Sequence, residues 1–298
     1  MRLSWYFVLV VLAWIAFVVP PEAQAEAGMI PFDSPVGEIG GRGHWYTLRT
    51  MKGEDYWKDP AVISDVRKND DGTYSIMGEA PISIAIVLHP YWKVDAEPWR
   101  QAIDWVRQAE QMYRNSGVPV RFIIEHIETW DDMPSDVESA YYGLRDRDYS
   151  DYGADMVIGL IPNYFADPYC GIAGYSSYVS VTACSPTTLA HEIGHNLGLG
   201  HAHDANRAGQ KGYCMSPSPE ARDCDEGTIM SYAGDNRIPL FAAQGFTFKG
   251  ESIGNEERTA VEHLRSAVVT AALQWELARD SEPAVTTRSS YPQEHLCR

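Results

Sequence analysis

Eleven consecutive residues hold the chemistry of this chain: His191-Glu192-Ile193-Gly194-His195-Asn196-Leu197-Gly198-Leu199-Gly200-His201. Two histidines four apart on a helix project from one face, about one turn apart, and can reach one metal ion. Glu192 follows the first of them directly. It would stand beside the metal but point elsewhere, as a base acting on metal-bound water must. Gly198 permits a backbone reversal that a side chain would resist, after which His201 can return as a third ligand. Three protein nitrogens leave a fourth position for water, the mark of a catalytic zinc site rather than a structural one. An isolated HExxH recurs by chance in unrelated helices. Fixing Gly198 and His201 as well brings a chance match to on the order of one in ten thousand chains. His203 lies close by, but the spacing from Gly198 favours His201 and makes His203 a solvated or outer group. His44, His89, His126, His263 and His295 carry no ligand spacing and read as ordinary.

The elements that must position this stretch are legible upstream. Ser185, Thr187 or Thr188 can begin the histidine-bearing helix. Ile82–Leu88 is a near-continuous apolar run of strand length. Asp95 can cap a helix in which Trp99, Ala102, Ile103, Val106, Ala109 and Tyr113 recur at three- and four-residue steps, closed by Gly117. Val118–Ile127 reads as a second strand, Pro134–Arg147 as a helix, Ala154–Ile161 as a third strand and Tyr175–Thr182 as a more exposed fourth. A last helix runs from Asn255 to about Arg279, with Ala260, Val261, Leu264, Val268, Ala271, Leu273 and Trp275 as its buried stripe. This alternation predicts an α/β (α+β) fold with a twisted, mostly parallel sheet and long helices.

Composition narrows the function classes. Of 298 residues, 45% are hydrophobic and 22% charged, which is ordinary for a globular chain. With 24 Lys+Arg against 41 Asp+Glu, the net charge of -17 repels phosphate backbones, so no nucleic-acid partner is expected. Met1-Arg2, an apolar run Leu3–Val19 broken only by Ser4, and Ala23-Gln24-Ala25 are the parts of a secretory signal peptide over residues 1–25. An uncleaved anchor is the alternative, but the small-x-small ending has no use in one. The expected product is a secreted protein with no stable membrane association; nothing in the sequence sets its oligomeric state. Residues 26–80 show no clear period and read as an N-terminal extension or short pro-segment, 81–280 as the catalytic domain, and 281–298 as a polar, unstructured tail. Export permits disulfides, and four of the five cysteines fall between 170 and 224. Of the three possible pairings, Cys170–Cys184 with Cys214–Cys224 closes short loops on either side of the zinc helix and its third ligand, leaving Cys297 unpaired or engaged elsewhere.

HExxHxxGxxH at 191–201, followed by Gly227-Thr228-Ile229-Met230-Ser231-Tyr232, resembles the metzincin clan of zinc endopeptidases. The resemblance implies that His191, His195 and His201 bind Zn(2+), that Glu192 is the general base, and that Met230 forms an apolar floor in the clan's Met-turn. His195-Asn196-Leu197-Gly198 and the flanking cysteines resemble the reprolysin (adamalysin) group. That group places Asp directly after the third histidine; here Ala202 stands there and Asp204 comes two later. The Thr228–Tyr232 turn is more similar to serralysins and astacins. In those a tyrosine at the offset of Tyr232 swings to bond the oxyanion, which would make Tyr232 catalytic rather than a packed aromatic. The implied activity is a secreted zinc metalloendopeptidase that hydrolyses peptide bonds by Glu192-assisted attack of zinc-bound water. Its protein or peptide substrate would lie extended along Gly171–Tyr178, unless that stretch is a plain Gly-rich loop. No cysteine precedes Cys170, so a thiol from 26–80 cannot cap the zinc as in matrixin latency. The rival functions are a zinc-retaining, non-catalytic binding module and a zinc hydrolase of small non-peptide molecules.

Overall fold

The computed structural model describes residues 66–68, 74–76, 79–92, 98–147, 149, 152–165, 169–207, 209–280 and 294–297. The expected signal segment 1–25, the expected Asp95 cap and the side chains of Leu273 and Trp275 lie outside the described residues.

Within the segment that lacked a sequence period, β1 (Val66–Lys68) and β2 (Tyr74–Ile76) pair antiparallel. The centre of the molecule is β3 (Ala80–Leu88), every residue of which is buried. Its continuous apolar run is explained by its neighbours: β4 (Val120–Thr129) and β5 (Met156–Leu160) pair with it in parallel on its two sides. Outward from β5 come β7 (Val179–Thr182), parallel, and then β6 (Gly171–Gly174), antiparallel to β7. The mixed, mostly parallel α/β architecture read from the sequence is therefore observed.

Tyr175–Thr182 does not form one exposed strand. Its first half is the turn between β6 and β7, with Ser176 at φ 49°, and only Val179–Thr182 pairs, fully buried. The reversal is what allows β6 and β7 to run antiparallel. The tail also departs from expectation. β12 (Glu294–Cys297) pairs antiparallel with β6, at the far side from β7. Its polar sequence carries no strand signal, because its place in the sheet is set by backbone pairing along an edge.

Among the described residues, four α-helices flank the sheet. α1 (Pro98–Asn115) buries Ala102, Ile103, Val106, Ala109 and Tyr113, the stripe its spacing predicts. α2 (Val137–Arg145) is capped by Asp136, whose carboxylate accepts from the Ser139 N–H, and packs over Val87, Val157, Ile172 and Val181. α3 (Pro186–Asn196) is the histidine-bearing helix. α4 (Ala260–Asp280) buries Ala260, Val261, Leu264 and Val268. One buried hydrogen bond fixes the depth of α3 against α1: the Tyr113 hydroxyl donates to Ala190 O at 3.0 Å.

The two disulfides are those expected, Cys170–Cys184 and Cys214–Cys224. The first joins the start of β6 to the residue before the cap of α3. The second closes the hairpin of β8 (Cys214–Ser216) and β9 (Glu226–Gly227). A small pair, β10 (Thr247–Phe248) and β11 (Glu251–Ser252), precedes α4. Among the described residues, no helix is long and apolar enough to cross a membrane.

Candidate metal centre

α3 starts where the sequence allowed: Ser185 is the N-cap, its hydroxyl accepting from the Thr188 N–H at 3.2 Å, and Pro186 opens the first turn. Every residue from Thr188 to Asn196 is buried. The helix ends on Gly198 at φ 95°, with Gly198 N–H donating to His195 O and Leu199 N–H to Gly194 O. This left-handed cap turns the chain back, and the Ala202 N–H then donates to Met230 O at 3.1 Å. His201 is thereby returned to the face of α3 that carries His191 and His195.

The three imidazoles form one buried cluster, each offering a ligand nitrogen within 4.8 Å of the others. His195 Nε2 and His201 Nε2 stand 3.0 Å apart. His191 Nδ1–H donates to Ile229 O at 2.6 Å, and His195 Nδ1–H donates to Leu199 O at 2.7 Å. A carbonyl oxygen only accepts, so these bonds fix the proton on Nδ1 and leave the Nε2 lone pair as the ligand. Burial lowers the pKa of His191 and of His201, which favours the neutral, ligating form. The donor set therefore fits a metal of the zinc type, with neutral nitrogens of fixed tautomer converging on one point.

Met230 is fully buried beneath α3, and a Cβ at Gly194 would come 2.7 Å from its Sδ. The turn carrying it is closed by Ser231 N–H to Thr228 O at 2.9 Å. Glu192, wholly buried, lies against the start of β6: a Cβ at Gly171 would fall 2.5 Å from Glu192 Oε1. A glycine is required there because the carboxylate occupies the space of a side chain. Tyr232 packs on the third histidine, ring centroids 4.4 Å apart, with its hydroxyl 3.5 Å from His201 Nδ1. His203 stacks parallel to His201 at 5.2 Å, and His201, His203 and Asp204 form a second group of adjacent ligand atoms.

Several residues that hold this site had no signal in the motif. Asp204 Oδ2 accepts from the His201 backbone N–H at 2.7 Å and from the Tyr175 hydroxyl at 2.6 Å, and lies 3.6 Å from His201 Nδ1. Burial pushes this carboxyl up, but the hydrogen bonds from His201 and Tyr175 prevail and hold it well below the usual carboxylate range. Arg207 lies 3.3 Å from the centroid of the Tyr175 ring and donates to Gly198 O at 2.8 Å. His263, expected to be ordinary, donates through Nε2 to Leu197 O at 2.8 Å and braces the same turn from α4. Asn196 Nδ2 donates to Val179 O at 2.9 Å, joining the end of α3 to β7.

A parallel-centred sheet, a buried helix presenting two imidazoles, a glycine turn returning a third and a methionine beneath them define the metzincin-type zincin class of architecture. Residues 97–242 match the family model Reprolysin_5, metallopeptidase family M12, the kind of family the two motifs implied. No curated protein matches the chain. A solved structure titled as a chaperone–substrate complex is similar over 70% of this chain at 19% identity and a TM-score of 0.56, a likeness of fold; this chain spans 37% of its length. The archaemetzincin of Methanopyrus kandleri is similar over 63% of this chain and 96% of its own, at 14% identity and a TM-score of 0.38.

Proposed function

We propose that this chain is a secreted zinc-dependent endopeptidase that hydrolyses peptide bonds in protein or peptide substrates. The observation that carries this reading is the buried three-histidine cluster together with Glu192, the residue after His191, whose carboxylate lies against the start of β6. A base there can serve both a water at the cluster and a chain lying along β6. A zinc ion held by His191, His195 and His201 supplies Lewis-acid chemistry, polarising the scissile carbonyl and lowering the pKa of a water from about 15.7 towards about 7.

The chain's own residues do the rest. Glu192 takes the proton of the attacking water and delivers it to the leaving amine. The carbonyls of Ile229 and Leu199 keep two of the imidazoles oriented, and Asp204 anchors the third. Tyr232, whose phenolic O–H is a donor, stabilises negative charge developing on the carbonyl oxygen. The signal peptide is assigned to 1–25, an extension or pro-segment to 26–80, the catalytic unit to 81–280 and a polar tail to 281–298. Two disulfides support an oxidising destination.

The test is casein and gelatin hydrolysis by the purified chain with and without a chelator. Cleavage that chelation abolishes and zinc restores supports the peptidase. Zinc binding without cleavage points to a binding module, and turnover confined to small esters or amides points to a non-peptide hydrolase.

A further inference from the structure

β6 has two sides. One pairs with β7 through Gly171↔Thr182, Ile172↔Val181 and Ala173↔Ser180. The other would be the bare edge of the sheet, a row of N–H and C=O groups open to any extended chain. In this structure that side is taken by the protein's own C-terminal segment: Glu294 pairs opposite Gly174, His295 opposite Ala173, Leu296 opposite Ile172 and Cys297 opposite Gly171. Gly171 is the residue against which the Glu192 carboxylate rests. The end of β12 therefore pairs opposite Gly171, the residue that the proposed base rests against, on the edge along which the proposed function lays an extended substrate.

We propose that Glu294–Cys297 is an internal occupant of the peptide-binding edge, which closes the site of the full chain to substrate until it is displaced. The inference rests on the peptidase reading for its consequence, though not for the pairing itself. Main-chain pairing is blind to side chains, so a polar segment with no strand signature can fill the edge. Because it belongs to the same chain as β6, it competes as an intramolecular partner, at an effective concentration that reaches about the millimolar range where the connection is short. A strand of modest intrinsic affinity then competes well. If it fills the edge nine times in ten, the apparent affinity for a substrate falls about tenfold. The cost falls on KM, because a chain that has displaced β12 meets an unaltered Glu192 and an unaltered histidine cluster.

The experiment compares the zinc-loaded full chain, the chain ending at residue 293, and a full-length His295→Pro variant. Ile172 turns its N–H and C=O to β7, so the ladder bonds to β12 fall at Ala173 and its partner His295, where a proline cannot donate. Their kcat and KM are measured on a fluorogenic peptide, with melting temperatures as a check on folding. Both altered chains are expected to show a several-fold lower KM at similar kcat. A labelled octapeptide of residues 291–298 carrying Cys297→Ser, which removes its thiol as a metal ligand, is then titrated by fluorescence anisotropy. The protein in that titration is Glu192→Ala, with and without residues 294–298. Binding to the shortened chain and at least five-fold weaker binding to the full chain supports the occupant. Equal binding to both, or an unchanged KM in a folded His295→Pro chain, overturns it. If the octapeptide discriminates while no chain cleaves any peptide, the occupant stands and the peptidase reading falls.

Discussion

The Tyr175 hydroxyl donates to Asp204 Oδ2 at 2.6 Å, and the same oxygen accepts the His201 N–H at 2.7 Å. The turn leaving β6 is thus locked to the loop that delivers the third imidazole. Asp204 is in this way an outer partner of the third histidine. Removing such an outer partner typically weakens metal binding by 10–100-fold. Asp204→Ala should therefore bind zinc about 10–100-fold more weakly in competition with a chelator, and Tyr175→Phe should shift it the same way by less. Wild-type affinity in Asp204→Ala would leave the third histidine positioned by its turn alone.

Glu192 and His195 separate catalysis from metal binding. Glu192→Ala removes a base but no ligand, so zinc content should stay at one per chain while turnover falls by about 10²–10⁴-fold. His195→Ala should lose the metal itself. Metal analysis and peptide kinetics on the same preparations check both, and a Glu192→Ala protein within a few-fold of wild type would refute the assigned base.

Gly198 combines a left-handed backbone at φ 95° with a close neighbour: a Cβ there would lie 2.9 Å from His263 Nε2. Gly198→Ala should cost about 1–2 kcal/mol from the backbone alone, and displace His263 from Leu197 O. Thermal melts of Gly198→Ala beside His263→Ala measure the two parts, and additive losses would show that the turn and its brace act independently.

The Cys170–Cys184 bridge encloses a sequence separation of 14, and loop entropy assigns such a bridge about 3 kcal/mol. The double replacement Cys170→Ser/Cys184→Ser should lower stability by that order in urea. Peptide mapping without reduction should recover 170–184 and 214–224 links in the wild type. A 170–214 link would contradict the fold.

Tyr232→Phe tests the donor assigned to the carbonyl oxygen. Loss of one such donor is worth about 2.7–4 kcal/mol, so kcat should fall by about 10²–10³-fold with KM, zinc content and melting temperature little changed. An unaltered kcat would confine Tyr232 to its packing against His201.

The motif was legible because its geometry is local. Helical spacing alone puts His191 and His195 on one face, Ser185 caps the helix within three residues, and Gly198 supplies the reversal within one. The central strand was legible for a similar reason, since only burial on both sides tolerates Ile82–Leu88. What hydrophobic pattern cannot specify is the partner. The Tyr113 bond to Ala190, the His263 brace on Leu197 and the Asp204–Tyr175 lock join residues 77, 66 and 29 apart in sequence. None leaves a periodic trace, because a single hydrogen bond depends on where two backbones meet. The same holds for β12. A backbone ladder is made of groups every residue carries, so only the folded sheet, in which β6 leaves one side open beyond β7, decides that Glu294–Cys297 pairs along Gly171–Gly174.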